Sequence, residues 1–191
     1  MATKIAVFAS GSGSNFQAIQ EAIERGDLQA SVELVVTDKP GAFVVTRANN
    51  SGVEVLELAP KTFESKAAYE EAIVAELRAK DVEWVVLAGY MRLVSDVLLT
   101  AYSNRIVNIH PSLLPSFPGK DAIGQAMEHG VKVTGVTVHY VDAGMDTGPI
   151  IAQAAVEVVD GDRAATEERI HKVEHELYTK TLNELFNKND F

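Results

Sequence analysis

The stretch IAVFASGSGSNFQAI, Ile5 to Ile19, decides the fold. Ile5 through Ala9 are apolar without a break, whereas a strand with one wet face would alternate. Such runs belong to strands covered by helices on both sides. Ser10 to Gly13 then turn the chain, and Phe16 and Ile19 open a helical pattern. A buried strand that passes through a glycine turn into a helix is the first unit of a parallel α/β sheet.

Outward from this unit the alternation continues. Strands are expected at Lys4–Ala9, Val32–Thr37, Glu54–Leu58, Trp84–Ala88, Ile106–Ile109, Val133–Tyr140 and Ile150–Val158. Helical periodicity falls at Asn15–Arg25, Phe43–Asn50, Ser65–Lys80, Ser95–Ala101 and Ala122–His129. A final helix, Arg163–Asn187, carries an apolar stripe through Ile170, Val173, Leu177, Leu182 and Leu185. Only the turn DAGMDTGP separates the last two strands. It is too short for a helical crossover, so they form an antiparallel pair. The expected fold is α/β: a doubly wound, mostly parallel sheet of about seven strands, an antiparallel C-terminal pair and a long C-terminal helix. With no linker or low-complexity tract, residues 1–191 read as one domain.

Hydrophobic residues make up 47% of the chain and charged residues 23%, enough apolar material for a full core. No apolar run approaches the roughly 18 residues that span a bilayer. The single lysine before the first apolar run, with glycines soon after, does not read as a secretion signal. The absence of cysteine excludes disulfides and thiolate metal ligands. A cytoplasmic protein is expected. The net charge of −10, with 27 acidic against 17 scattered basic residues, repels polyanions, so neither nucleic acid nor membrane is an expected partner. An anionic ligand would have to be met locally.

The loop FASGSGSN offers such a device. Gly11 and Gly13 let backbone N–H groups approach a ligand, Ser14 or Asn15 can cap the helix, and the helix N-terminus favours an anion. A dinucleotide fingerprint fails because Phe16 stands where its third glycine belongs, and no Gly-Lys-Ser/Thr follows for a P-loop. Asp38 after the second strand could mimic a ribose-binding acid, but Lys39-Pro40 follows at once. A single phosphate suits the loop best.

The segment IVNIHPSLLPSFPG, Ile106 to Gly119, sets an amide and an imidazole in an apolar run. Asn108 and His110 share a strand face, roughly 7 Å apart, at the carboxyl end of the fifth strand, where open α/β sheets bind ligands. The prolines then stiffen the loop. An asparagine amide can donate to an oxyanion, and an imidazole can move a proton or support negative charge. The pair suggests acyl or formyl transfer with direct attack by a substrate amine, since no serine elbow or cysteine is present. An orienting carboxylate would come from Asp142 or Asp146 in the last turn. Spacing leaves the two nearly even; Asp146, in DTGP just before a strand, is preferred.

These segments resemble the folate-dependent formyltransferases over essentially the whole chain, from SGSGSN through LAGYMRL and NIHPSLLPSFPG to GMDTGPII and VEHELY. NIHPSLLP with a later D-x-G-P marks the group that uses 10-formyltetrahydrofolate, and SGSGSN narrows it to members acting on glycinamide ribonucleotide (GAR). The resemblance implies a Rossmann-like fold and formyl transfer from the folate co-substrate to the amine of GAR in purine biosynthesis, without a metal. It implies Asn108, His110 and Asp146 as the catalytic trio, Gly13, Ser14 and Asn15 as the phosphate site, and Glu174 as a further ribonucleotide contact. Met91, Arg92, Leu93, Val94 and Asn108 would line the folate pocket, with Lys66 where some members carry arginine. The N-terminal part would hold the ribonucleotide phosphate, and the C-terminal part the trio and folate pocket. Partners would be these small molecules, with the chain a monomer or homodimer. Thr179 departs from a proline common after HELY.

Rival readings have less behind them. HKVEH, His171 to His175, matches an inverted zinc-peptidase pattern, but a third ligand is needed, and beyond the adjoining Glu176 only Glu184 and Asp190 remain as acids. A non-catalytic phosphosugar-binding domain would leave the trio idle. A tRNA-directed relative would be expected to carry a further C-terminal domain, and a formate-releasing hydrolase an N-terminal regulatory one.

Overall fold

Alternate residues of the first strand point into two different helical layers. Ile5 and Val7 join one buried cluster, with Phe16, Ile19, Val44, Ile170 and Tyr178. Ala6 and Phe8 join the other, with Tyr69, Ile73, Leu77 and Leu98. This two-sided burial is the physical reason for the unbroken apolar run. Each large apolar side chain so buried contributes about 1.5–3 kcal/mol.

The computed structural model describes residues 1–188. Its strands are β1 (Thr3–Phe8), β2 (Ala30–Thr37), β3 (Val55–Glu57), β4 (Trp84–Leu87), β5 (Ile106–His110), β6 (Val133–Tyr140) and β7 (Ile150–Glu157). Its helices are α1 (Ser14–Glu24), α2 (Phe43–Asn50), α3 (Lys66–Ala79), α4 (Asp96–Ala101), α5 (Ala122–His129) and α6 (Arg163–Asn187). Each expected element is present, with boundaries shifted by a residue or two at several ends. A 3₁₀ turn at Pro60–Thr62 went unread.

The strands form one sheet in the order β3-β2-β1-β4-β5-β6-β7. β1 pairs in parallel with both β2 and β4, β2 with β3, and β4 with β5. β6 and β7 are antiparallel as their short turn required. β6 is also antiparallel to β5, which element spacing did not reveal, because helix α5 between them looks like an ordinary crossover.

Local chemistry fixes the helix starts. Ser65 accepts from the N–H of Ala68, and Asp162 from that of Ala165, so α3 and α6 begin with side-chain caps. Tyr178 on α6 is fully buried, and its hydroxyl donates to the carbonyl of Leu87, 2.7 Å, with that of Val107 at 3.3 Å. Burial raises its pKa well above the phenol value. That tyrosine ties the long helix to the ends of β4 and β5, directly beneath the site. No helix of the described residues is long and apolar enough to cross a membrane.

Candidate active site

Strand order reverses between β1 and β4, and a cleft of about 670 Å³ opens at their carboxyl ends, as expected for a doubly wound sheet. One wall is the β1–α1 loop, Ser10 to Asn15. The opposite wall is the segment after β4, through Met91, Arg92, Leu93 and Val94. Asn108, His110, His139 and Asp146 meet between them.

The β1–α1 loop commits two carbonyls to helix α2. Gly11 accepts from the N–H of Val44 at 3.0 Å, and Ser12 from Nε of Arg47 at 2.7 Å. Gly13, not Ser14 or Asn15, is the N-cap of α1, and no side chain caps this helix. The expectation of a Ser14 or Asn15 cap is therefore corrected. Gly13 sits at φ 73, and a Cβ there would lie 2.5 Å from a methyl of Val44, so only glycine fits the turn. The first-turn N–H groups keep no side-chain partner, and the buried Oδ1 of Asn15 has none either.

His110 is 6% exposed, and its Nε2 donates to the carbonyl of Phe117 at 2.9 Å. Its Nδ1 lies 3.5 Å from Oδ2 of Asp146, the same oxygen that accepts from the N–H of Gly119 at 2.8 Å. Asp146, at φ 54, thus joins the β6–β7 turn to the proline-rich loop. Asp142 is spent differently: its Oδ1 accepts from the N–H of Gly144 and the hydroxyl of Thr147. It shapes the turn, and Asp146 faces the histidine.

The proline-rich loop is held from below. Thr137 donates to the carbonyl of Ser112 and accepts from the N–H of Leu114, while Gln153 donates to Leu114 and Thr137. This polar network anchors the loop at Ser112 and Leu114, shortly after His110.

His139 was not anticipated. It pairs directly with Asn108 across β5 and β6, and Nδ2 of Asn108 lies 3.3 Å from its Nε2. Its Nε2 is 3.8 Å from Oδ1 of Asp146. An imidazole within the largely apolar strand β6 was the available signal; the partner strand was not legible.

Met91 and Leu93 are exposed large apolar residues, and with Val94 and Val141 they give the second wall an apolar character. Arg92 lies over the ring of Tyr69, 5.6 Å from its centroid, and its buried Nε has no partner. Lys66 is exposed at the start of α3 and does not line the cleft. The cleft's other cations are Lys39 and Lys120, which sequence reasoning did not single out.

On α6, Glu174 is 5% exposed and accepts from Nδ1 of His171 at 2.9 Å; both line the cleft. Glu174 raises the pKa of His171, whereas burial lowers that of His175. Among the described residues no group of three or more His, Asp or Glu is placed to hold a metal. Asp190 lies outside the described residues.

Residues 3–182 match the formyl transferase family. The phosphoribosylglycinamide formyltransferase of Bacillus subtilis is 54% identical over 188 residues, covering 98% of this chain and 96% of that one. The crystal structure of glycinamide ribonucleotide transformylase 1 from Geobacillus kaustophilus superposes with a TM-score of 0.94 at 59% identity, over 97% of this chain and 99% of that one. Phosphoribosylglycinamide formyltransferase from Bacillus halodurans gives 0.95 at 54% identity, over 98% and 97%. A shared fold, near-complete mutual coverage and identity above half leave one assignment: the chain belongs to the formyl transferase family, among its phosphoribosylglycinamide formyltransferases.

Proposed function

We propose that this cleft transfers the formyl group of 10-formyltetrahydrofolate to the amine of glycinamide ribonucleotide, with Asn108, His110 and Asp146 as its catalytic residues. The observation that carries the reading is their convergence between two unlike walls, one of free backbone N–H groups and one apolar.

The uncapped first turn of α1, with Gly13, Ser14 and Asn15, suits the phosphate of the ribonucleotide. Glu174, held by His171, suits its ribose hydroxyls. Met91, Leu93 and Val94 suit a flat heterocycle, with Arg92 beside them on the same wall. Lys66 lies one turn before Tyr69, whose ring lies under Arg92, so it borders this wall and is left for whatever part of the folate extends past the rim. The loop after β1 thereby serves the ribonucleotide phosphate, the segment after β4 the folate, and the C-terminal part of the chain completes the catalytic trio and the folate pocket. We read the enzyme as cytoplasmic, working on small molecules without nucleic acid, membrane or metal, as a monomer or homodimer.

In the reaction the ribonucleotide amine attacks the formyl carbon, a C–N bond forms, and the carbonyl electron pair moves onto oxygen. The amide of Asn108 donates to that oxyanion. Both ring nitrogens of His110 face acceptors, the Phe117 carbonyl and Asp146, so a ring protonated on both is supported where negative charge develops. The bond from carbon to N10 then breaks, the carbonyl re-forms, and the proton lost by the amine ends on N10.

The test is an assay with 10-formyltetrahydrofolate, with and without glycinamide ribonucleotide. Folate turnover that requires the ribonucleotide and yields its formylated product supports the proposal. Turnover independent of the ribonucleotide would make the chain a hydrolase.

A further inference from the structure

Ser10 and Asp38 have no part in the scheme above, yet both are buried, at 3% and 8% exposure. Asp38 was a candidate ribose acid from its place after β2. Its carboxylate is committed elsewhere: Oδ1 accepts from the hydroxyl of Ser10 at 2.5 Å. No ion pair among the described residues includes Asp38. A buried carboxylate is costly without a hydrogen-bond partner, and among the described residues the hydroxyl of Ser10 is the one that this carboxylate has.

Because the hydroxyl proton of Ser10 goes to Asp38, the direction of its other bonds is fixed. The oxygen accepts from the N–H of Met91 at 2.8 Å, and the backbone N–H of Ser10 donates to the carbonyl of Gly89 at 3.0 Å. One residue therefore clasps the loop after β1 to the loop after β4. These are the two walls of the cleft, and nothing else among the hydrogen bonds of the described residues joins Gly11–Asn15 to Met91–Val94.

The separation of the walls sets the distance between whatever each wall holds. Reaction needs the two reacting atoms about 3–3.5 Å apart, and a misplacement of about 1 Å can cost about a hundredfold in rate. We infer that Ser10 and Asp38 form a positioning pair that sets the ribonucleotide wall against the folate wall, so that their contact is expressed in turnover more than in the binding of either substrate. The inference rests on the assignment of the two walls above.

The experiment compares Ser10→Ala, Asp38→Ala, Asp38→Asn and the double alanine variant with the wild type, measuring kcat, both KM values and calorimetric binding of each ligand alone. Ser10→Ala should lower kcat about tenfold or more, with each ligand's Kd changed by no more than about threefold. Asp38→Ala should match it, and the double variant should be no worse than either single, because both remove one interaction. Asp38→Asn keeps an acceptor oxygen for Ser10 and should recover most of the turnover lost in Asp38→Ala. A kcat for Ser10→Ala within about twofold of wild type, losses that add in the double variant, or failure of asparagine to rescue would each overturn the pairing. If Ser10→Ala does not fold, the comparison of Asp38→Ala with Asp38→Asn decides alone. A wild type that binds neither ligand would sink the functional reading and this one with it; an active wild type indifferent to Ser10→Ala sinks only this one.

Discussion

Asn108 and His139 are directly opposed in the antiparallel β5–β6 ladder, and their side chains meet at 3.3 Å. Nδ1 of His139 faces the carbonyl of Tyr140 at 2.8 Å and so carries the ring proton, leaving Nε2 to accept from the Asn108 amide. The amide is held with one N–H on the imidazole and the other left for the cleft. A group meant to receive an oxyanion is best fixed before charge develops, which spares reorganisation in the reaction.

Replacing Asn108 with alanine should therefore remove one oxyanion donor. Turnover should fall about a hundred- to a thousandfold, or about 3–4 kcal/mol of transition-state stabilisation, while the Kd of the ribonucleotide shifts only slightly. Steady-state kinetics with calorimetry checks this, and near-normal turnover would exclude the role.

The two aspartates of the last turn should separate cleanly. Asp146→Asn weakens the partner of His110 and should lower kcat strongly, whereas Asp142→Asn keeps an acceptor for Gly144 and Thr147 and should leave kcat nearly intact. Parallel kcat measurements on the two variants suffice. A larger loss at position 142 would move the orienting acid there.

Gly13→Ala should harm both stability and the phosphate site. Its φ of 73 costs a side chain about 1–2 kcal/mol, and the clash with Val44 adds to that. A lowered melting temperature together with a raised ribonucleotide KM is expected. An unchanged melting temperature would show that the loop relaxes freely.

Stability should carry a signature of His171. Its folded pKa is raised, chiefly by the hydrogen bond it donates to Glu174. A raised value means that the pair's stabilisation is fully present below the unfolded pKa of about 6.5 and fades as pH rises through the folded value. Melting temperatures of wild type and His171→Gln, followed from acid to alkaline pH, should differ most at the acid end. A gap that widens with rising pH would contradict the pairing. Because the imidazole is half exposed, the effect should be small.

Much of this was legible in the sequence because it depends on near neighbours. The unbroken run Ile5–Ala9 announced a strand covered on both faces. Asn108 and His110 were visible because two residues along a strand always share a face. His139, the Ser10–Asp38 contact and the choice between Asp142 and Asp146 were not legible, since each depends on a partner 28 or more residues away.

The sequence by itself determined the element order, the helical cover on both faces of the sheet and the polar end of β5, because periodicity and turn chemistry are local. The tertiary structure alone decided that β6 runs antiparallel to β5, that Asp146 reaches His110 and that Lys66 stays outside the cleft. Strand direction and loop docking are set by which buried surfaces and hydrogen-bonding groups satisfy one another once the sheet has closed, and no local pattern records that competition.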